Sequence, residues 1–201
     1  EFKIIKNNIY CPGYFGVFLD SLAAEVEKVT VLIHESSSNN NLDYKLTAKN
    51  IDFISLGKKT PAWHRIIFHK KILKHKIKLI DHYDVLLVRS PSPLSPYFSR
   101  YLKNTKLIFL IVGDNLSALE GLRIRSFKTL FIVAYIYYCD YIFNKELLGK
   151  KLIVNSKVLF DKYKSLSKDI NYINTTTLKS KDFFLRKDTC TEKKNKLTFY
   201  W

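Results

Sequence analysis

A chain of 201 residues, with 47% hydrophobic and 14% aromatic content, is long enough for one large α/β domain and too apolar to be disordered. Its 34 Lys and Arg against 18 Asp and Glu give a formal charge of +16 and a pI of about 9.6. Such a balance calls for an acidic partner: nucleic acid, an anionic membrane or a phosphorylated ligand. Three widely spaced cysteines without a CxxC fit a reduced, cytosolic chain rather than a disulfide scaffold. No apolar run reaches the roughly 18–20 residues that span a bilayer, and no signal-peptide core opens the chain. The nearest run, 129–143, contains Asp140.

FKIIK and NNIYC offer one strand ending near Cys11. Pro12-Gly13 then breaks the chain, and a helix opening at about Tyr14 carries Phe15, Phe18, Leu19, Leu22 and Val26 at helical spacing. VTVLIH follows as the β-branched run of a buried parallel strand, ending at His34. A polar loop (35–43) leads to IDFISLG, a short strand running into Gly57. Residues 58–83 form a basic, helix-like segment. DVLLVRSPSP is a strand stopped by a Pro-rich turn, 95–102 a short helix, and KLIFLIVGDN another apolar strand. Residues 125–148 are apolar nearly all round, which predicts a buried helix. KLIVNS, VLFDKY and INYIN then give strand, helix and strand.

Strands alternating with helices predict an α/β fold, a Rossmann-like parallel sheet with helices on both faces, over residues 1–186. Residues 187–201 read as a connector followed by KLTFYW, the first strand of a further domain. The absence of Met, even at position 1, fits a piece of a longer reading frame.

In such sheets the ligand crevice lies at the carboxyl ends of the strands. That rule selects Pro12, Gly13, Tyr14 and Gly16, then Arg89 and Ser90, then Gly113, Asp114 and Asn115, then Asn155 and Ser156. Glycines and a helix N-terminus at the first turn can present bare N–H groups to an anion. Equally, they can serve only close packing. The Arg89 fork suits a phosphate or carboxylate, or a structural pairing with Asp114. Asp114 can accept from sugar hydroxyls, act as a base, or cap a helix, and Asn155-Ser156 has the composition of an N-cap.

Eight Lys or Arg and no acid stand between Lys58 and Lys78. On a helical wheel Trp63, Ile66, Ile67, Leu73, Ile77 and Ile80 gather on one side. Phe68, Ile72 and Leu79 gather on the other, among Arg65, His75 and Lys76. A second apolar strip among cations suits an anionic membrane surface, with Arg65, Phe68, Lys71, Ile72 and Lys76 as its contacts. The alternative is a solvated charged face. His64, His69, His75 and His82 lack the i, i+4 spacing of a metal pair, so no metal site is expected.

PGYFG with its helix and VTVLIH, then DVLLVRSPSP, KLIFLIVGDN, LIVNSKVLFDKY and INYINTTTLKSKDFF, resemble in their order the N-terminal domain of a family 4 (group 1) glycosyltransferase of the GT-B architecture. The resemblance implies retaining transfer of a sugar from a nucleotide-sugar donor, the co-substrate, to an acceptor hydroxyl, with neither a metal nor another cofactor. Gly13, Tyr14 and Gly16 would then lie against the donor diphosphate. Arg89, Gly113 and Asp114 would line the acceptor side, with Asp114 the catalytic candidate. Many members carry a His where this chain has Gly113-Asp114, which puts a transition-state role there in doubt. A second domain would supply the donor grip, so this half would be inactive alone. The implied acceptor is a lipid-linked saccharide or oligosaccharide of cell-envelope or capsular polysaccharide assembly. That places the protein in the cytoplasm, peripheral on the inner face of the cell membrane.

Without a metal, charge building on a diphosphate leaving group needs N–H groups, a helix N-terminus and Arg or Lys. The competing reading is a basic nucleic-acid-binding α/β module. Its charge is spread along the chain, however, and no helix-turn-helix, zinc-finger or RNP-type sequence is present. A nucleotide-binding oxidoreductase would need the GxGxxG that the first turn lacks.

Overall fold

The computed structural model describes residues 2–5, 8–36, 42–80, 82–102, 105–120, 122 and 126–173. The expected connector, KLTFYW and the domain boundary at 186 lie outside them.

The chain is α/β, and its largest sheet is parallel. Strands β6 (Val85–Ser90), β7 (Lys106–Ile111), β8 (Lys151–Val154) and β9 (Ile170–Tyr172) pair in that order, all parallel. Registers Val88↔Phe109↔Leu152 and Ile111↔Val154 put these five side chains on one face, because alternate residues of a strand point the same way. All five are buried in one apolar cluster. Helices α3 (His69–Ile77), α4 (Phe98–Tyr101), α5 (Phe127–Leu147) and α6 (Lys157–Tyr163) pack into that same cluster through Leu73, Phe98, Phe143 and Tyr163. A sheet laid down in one direction by right-handed crossovers gathers its helices on one side. Helices on both faces were expected; on this sheet these four share one.

The N-terminal third departs from the expected single sheet. The strand read over residues 2–11 is two: β1 (Lys3–Ile5) and β2 (Asn8–Cys11), antiparallel to each other. β2 gives its other edge to β4 (Tyr44–Lys45), again antiparallel. With both edges taken, β2 has no ladder left to offer β3 (Val29–Glu35), which pairs in parallel with β5 (Ile51–Lys58) as a separate sheet. Among the described residues an isolated bridge joins Phe2 to Glu35 of β3, with Phe2 N–H donating to the His34 carbonyl at 3.3 Å and Ser36 N–H to the Phe2 carbonyl at 2.9 Å. Thr30 and Tyr83 hydroxyls at 2.6 Å, with Leu32, Ile54 and Leu56 against the main cluster, tie β3 and β5 to the rest.

Helix α1 (Gly13–Glu25) starts at the Pro-Gly turn as its sequence requires, burying Gly16, Leu19 and Ala23 over a second cluster that includes Cys11, Val29, Val31 and Ile51. Val26 is exposed, contrary to the helical stripe assigned to it.

Two helices differ from what their sequence predicts. The basic segment is not one helix but α2 (Ala62–Ile67) and α3, broken at Phe68, where His69 Nδ1 donates to the Ile66 carbonyl at 2.7 Å and its ring stacks on Tyr97 at 3.8 Å. The break rotates the wheel. Trp63 and Ile67 turn outward, while Leu73, Ile77 and Ile80 are buried. Ile72, expected as a membrane contact, packs against the core instead, and Arg65 and Lys76 are half-buried; Phe68 and Lys71 remain exposed. Helix α5 buries Asp140, Phe143 and Leu147 yet leaves Phe127, Phe131, Tyr137, Tyr138 and Tyr141 in solvent. The buried helix expected there is buried on one side only.

Candidate functional site

The turns after β2, β6 and β7 bring part of the expected crevice together. Tyr14, at the start of α1, is exposed, and the Arg89 guanidinium from the end of β6 lies 5.2 Å from its ring centroid. This is cation–π range. The contact joins the first turn to the β6 terminus.

Gly13 does not present an open N–H. The Asp43 carboxylate accepts from it at 2.9 Å, so a side chain already occupies the anion position at this helix start. Gly16 is buried, and a Cβ there would stand 2.2 Å from Cδ1 of Tyr44. At this position the packing role is the one the structure gives: glycine lets β4 approach α1.

Ser90 is fully buried, its hydroxyl donating to the Val88 carbonyl at 3.4 Å, and so it faces the core rather than a crevice. Ser156 Oγ accepts from Leu159 N–H at 3.3 Å and caps α6, while the Asn155 N–H donates to the Ile111 carbonyl. The N-cap alternative therefore holds at Ser156.

Asp114 pairs with Lys162 rather than with Arg89. Its Oδ1 accepts from Leu116 N–H at 3.0 Å and from Lys162 Nζ at 2.6 Å. Lys162 also lies 3.6 Å from Asp140 on α5, so one ammonium pins the β7 turn, α5 and α6 together. Breaking a buried pair costs several kcal/mol, but these side chains are about a quarter exposed. Replacement by Lys162→Met should therefore destabilise the protein by about 1–2 kcal/mol in urea unfolding.

Asp114 and Asn115 also form part of the wall of a cavity of about 260 Å³ beyond the ends of β6 and β7. Pro91, Pro93 and Tyr97 close one side. Tyr135, Tyr138 and Cys139 of α5 close another, and Ala62 and Ile66 of α2 a third. Gly113 stands next to Asp114 with Pro91 Cδ 3.5 Å from where its Cβ would be. Burial pushes the Cys139 thiol up, and burial also raises the Tyr135 hydroxyl beside it. Both stay protonated at neutral pH, so the thiol is no ready nucleophile. Burial likewise raises Cys11, to about 11.

Comparison with family models, with curated proteins and with solved structures finds no match to this chain. The residues alone carry the functional argument.

The expected site thus divides. Tyr14 and Arg89 meet on one side, and Asp114 and Asn115 share the cavity; Ser90 and Ser156 are structural. Sequence reading missed Asp43, Lys162 and the α5 wall. The SPSP run was the visible signal for the cavity, because its prolines line it. Among the described residues, no group of three or more His, Cys, Asp or Glu stands close enough to hold a metal ion.

Proposed function

We propose that this chain is the acceptor-side, Rossmann-like half of a GT-B glycosyltransferase, receiving a lipid-linked saccharide in cell-envelope or capsular polysaccharide assembly. The observation that carries the reading is the Tyr14–Arg89 contact at the strand tips, with the Asp114–Asn115 cavity at the end of the neighbouring strand. A guanidinium held at the tip of β6, on the acceptor side, offers charge-assisted hydrogen bonds to a phosphate or hydroxyl of the acceptor. The cavity combines aromatic walls from Tyr97 and Tyr138 with the carboxylate of Asp114 and the amide of Asn115, a mixture suited to a sugar's apolar faces and hydroxyl edges.

Asp43 fits this reading only as a competitor. A donor diphosphate at the first turn has to take over the Gly13 N–H that Asp43 now holds. Asp114, already engaged by Lys162, serves better as an acceptor for sugar hydroxyls than as a mobile base.

Calorimetric titration of the chain with detergent-solubilised lipid-linked saccharides, and separately with a short DNA duplex, tests the reading. Saturable saccharide binding, weakened roughly tenfold or more by Arg89→Ala through loss of a charge-assisted contact, is expected. Duplex binding with a steep salt dependence, and none to saccharides, would instead support a nucleic-acid module.

A further inference from the structure

Helix α5 buries one side and leaves the other without a partner. Phe127, Phe131, Ala134, Tyr138 and Tyr141 recur in steps of four and three, so they share one face of the helix, and Leu130 and Tyr137 flank Ala134 on that same face. All seven are exposed, Phe127 by 84% and Phe131 by 75%. The buried Phe143 and Leu147, which anchor α5 in the main core, lie on the opposite face. Scattered single hydrophobics on a surface need no explanation, but a contiguous aromatic face over four turns does.

Two properties of this face indicate what covers it. The first is charge. Although 26% of the chain is charged and its net charge is +16, none of these seven residues is; exposed Lys145 follows only a turn beyond Tyr141. An acidic partner drawn by the basic chain would find no cation here to pair with. The second is symmetry, for the spacing reads the same in both directions from Ala134. A second α5 laid antiparallel across Ala134 sets Phe127 against Tyr141, Leu130 against Tyr138, and Phe131 against Tyr137. That is the self-complementarity of a two-fold interface, where each residue meets its counterpart twice. The small Ala134 side chain at the centre lets the two helices approach closely. The five exposed rings and Leu130 offer roughly 700 Å², close to the ~800 Å² per partner of an ordinary stable interface.

We propose that the outer face of α5 is the interface of a two-fold homodimer, with the two helices antiparallel and crossing at Ala134. The inference does not rest on sugar transfer, since Phe127, Phe131 and Tyr141 stand outside both the cavity and the Tyr14–Arg89 contact.

Sedimentation equilibrium of the chain over a range of concentrations tests it. The fitted mass should be twice the 23.6 kDa of one chain, falling towards one on dilution. Phe127→Glu alone and Tyr141→Lys alone should each raise the dimer dissociation constant roughly tenfold or more, because a charge then faces an aromatic ring. Both positions are exposed, so neither change should move the urea midpoint. Mixing the two variants should restore association, since antiparallel pairing sets the new Glu against the new Lys, whereas parallel pairing would keep them apart. A single-chain mass at every concentration overturns the proposal, as does a dimer that both variants leave intact. Variants that weaken the dimer but do not recover it on mixing overturn the antiparallel pairing.

Discussion

Gly16→Ala should destabilise the protein by about 2–3 kcal/mol, a large loss for the addition of one methyl group. An ideal Cβ at Gly16 lies 2.2 Å from Cδ1 and 2.7 Å from Cγ of Tyr44, well inside any real contact. Those are ring atoms close to the backbone, not the end of a flexible chain. The ring is also held at both ends: its hydroxyl donates to Asp20 at 2.9 Å, and Tyr44 pairs with Cys11 across β4 and β2. Overpacking of this kind costs about 1–3 kcal/mol, and here neither side can yield freely. Alanine's better helix propensity returns at most about 1 kcal/mol. Urea unfolding measures the balance. A loss below about 1 kcal/mol would show that β4 can move aside and that Gly16 serves something other than close approach.

Asp20→Ala should cost a similar 2–3 kcal/mol, through polar rather than steric loss. One carboxylate accepts from the Tyr44 hydroxyl, the Thr47 N–H and hydroxyl, and the Ala48 N–H, at 2.6 to 3.2 Å. Hydrogen bonds to a charged group contribute about 1.5–3 kcal/mol each when buried, but water reaches part of this cluster and replaces some of them. Burial by itself would raise the Asp20 carboxyl. The donors, led by the Thr47 hydroxyl and the Ala48 N–H, outweigh it and hold the group below its ordinary 3.8.

A carboxyl with a depressed folded value stabilises the fold fully above the unfolded value. That contribution is lost as pH falls through the folded one. Stability measured between pH 5 and pH 2 should therefore fall less steeply in Asp20→Ala than in the parent. Parallel curves would mean that Asp20 titrates alike in both states.

These two residues show what sequence patterning can reach. The runs VTVLIH, DVLLVRS, KLIFLI and KLIV became β3, β6, β7 and β8 because β-branched and aliphatic residues between breakers suit buried parallel strands. Ser156 was legible as a cap for the same local reason. Gly16 was legible as a glycine with a purpose, but not which one, because Tyr44 lies far along the chain. Asp43 reaches Gly13 across 30 residues, and Lys162 reaches Asp114 across 48; no local pattern encodes either meeting.

The two residues of β4 are too few to carry a period, so the antiparallel pairing that removes β2 from the main sheet left no sign. Helix α5 misled for a physical reason. Hydrophobicity on all sides normally marks a buried helix, and only the three-dimensional placement shows one side left bare. The break at Phe68 depends on His69 finding Tyr97, again a distant contact, and it moved Ile72 from the surface to the core.

If the strand tips of β6 and β7 are where a saccharide binds, amide chemical shifts recorded during titration of the chain with an acceptor saccharide should move together at Tyr14, Arg89 and Asn115, with half-saturation at one concentration. Shifts confined to other surfaces, with these three amides unmoved at saturation, would contradict the account.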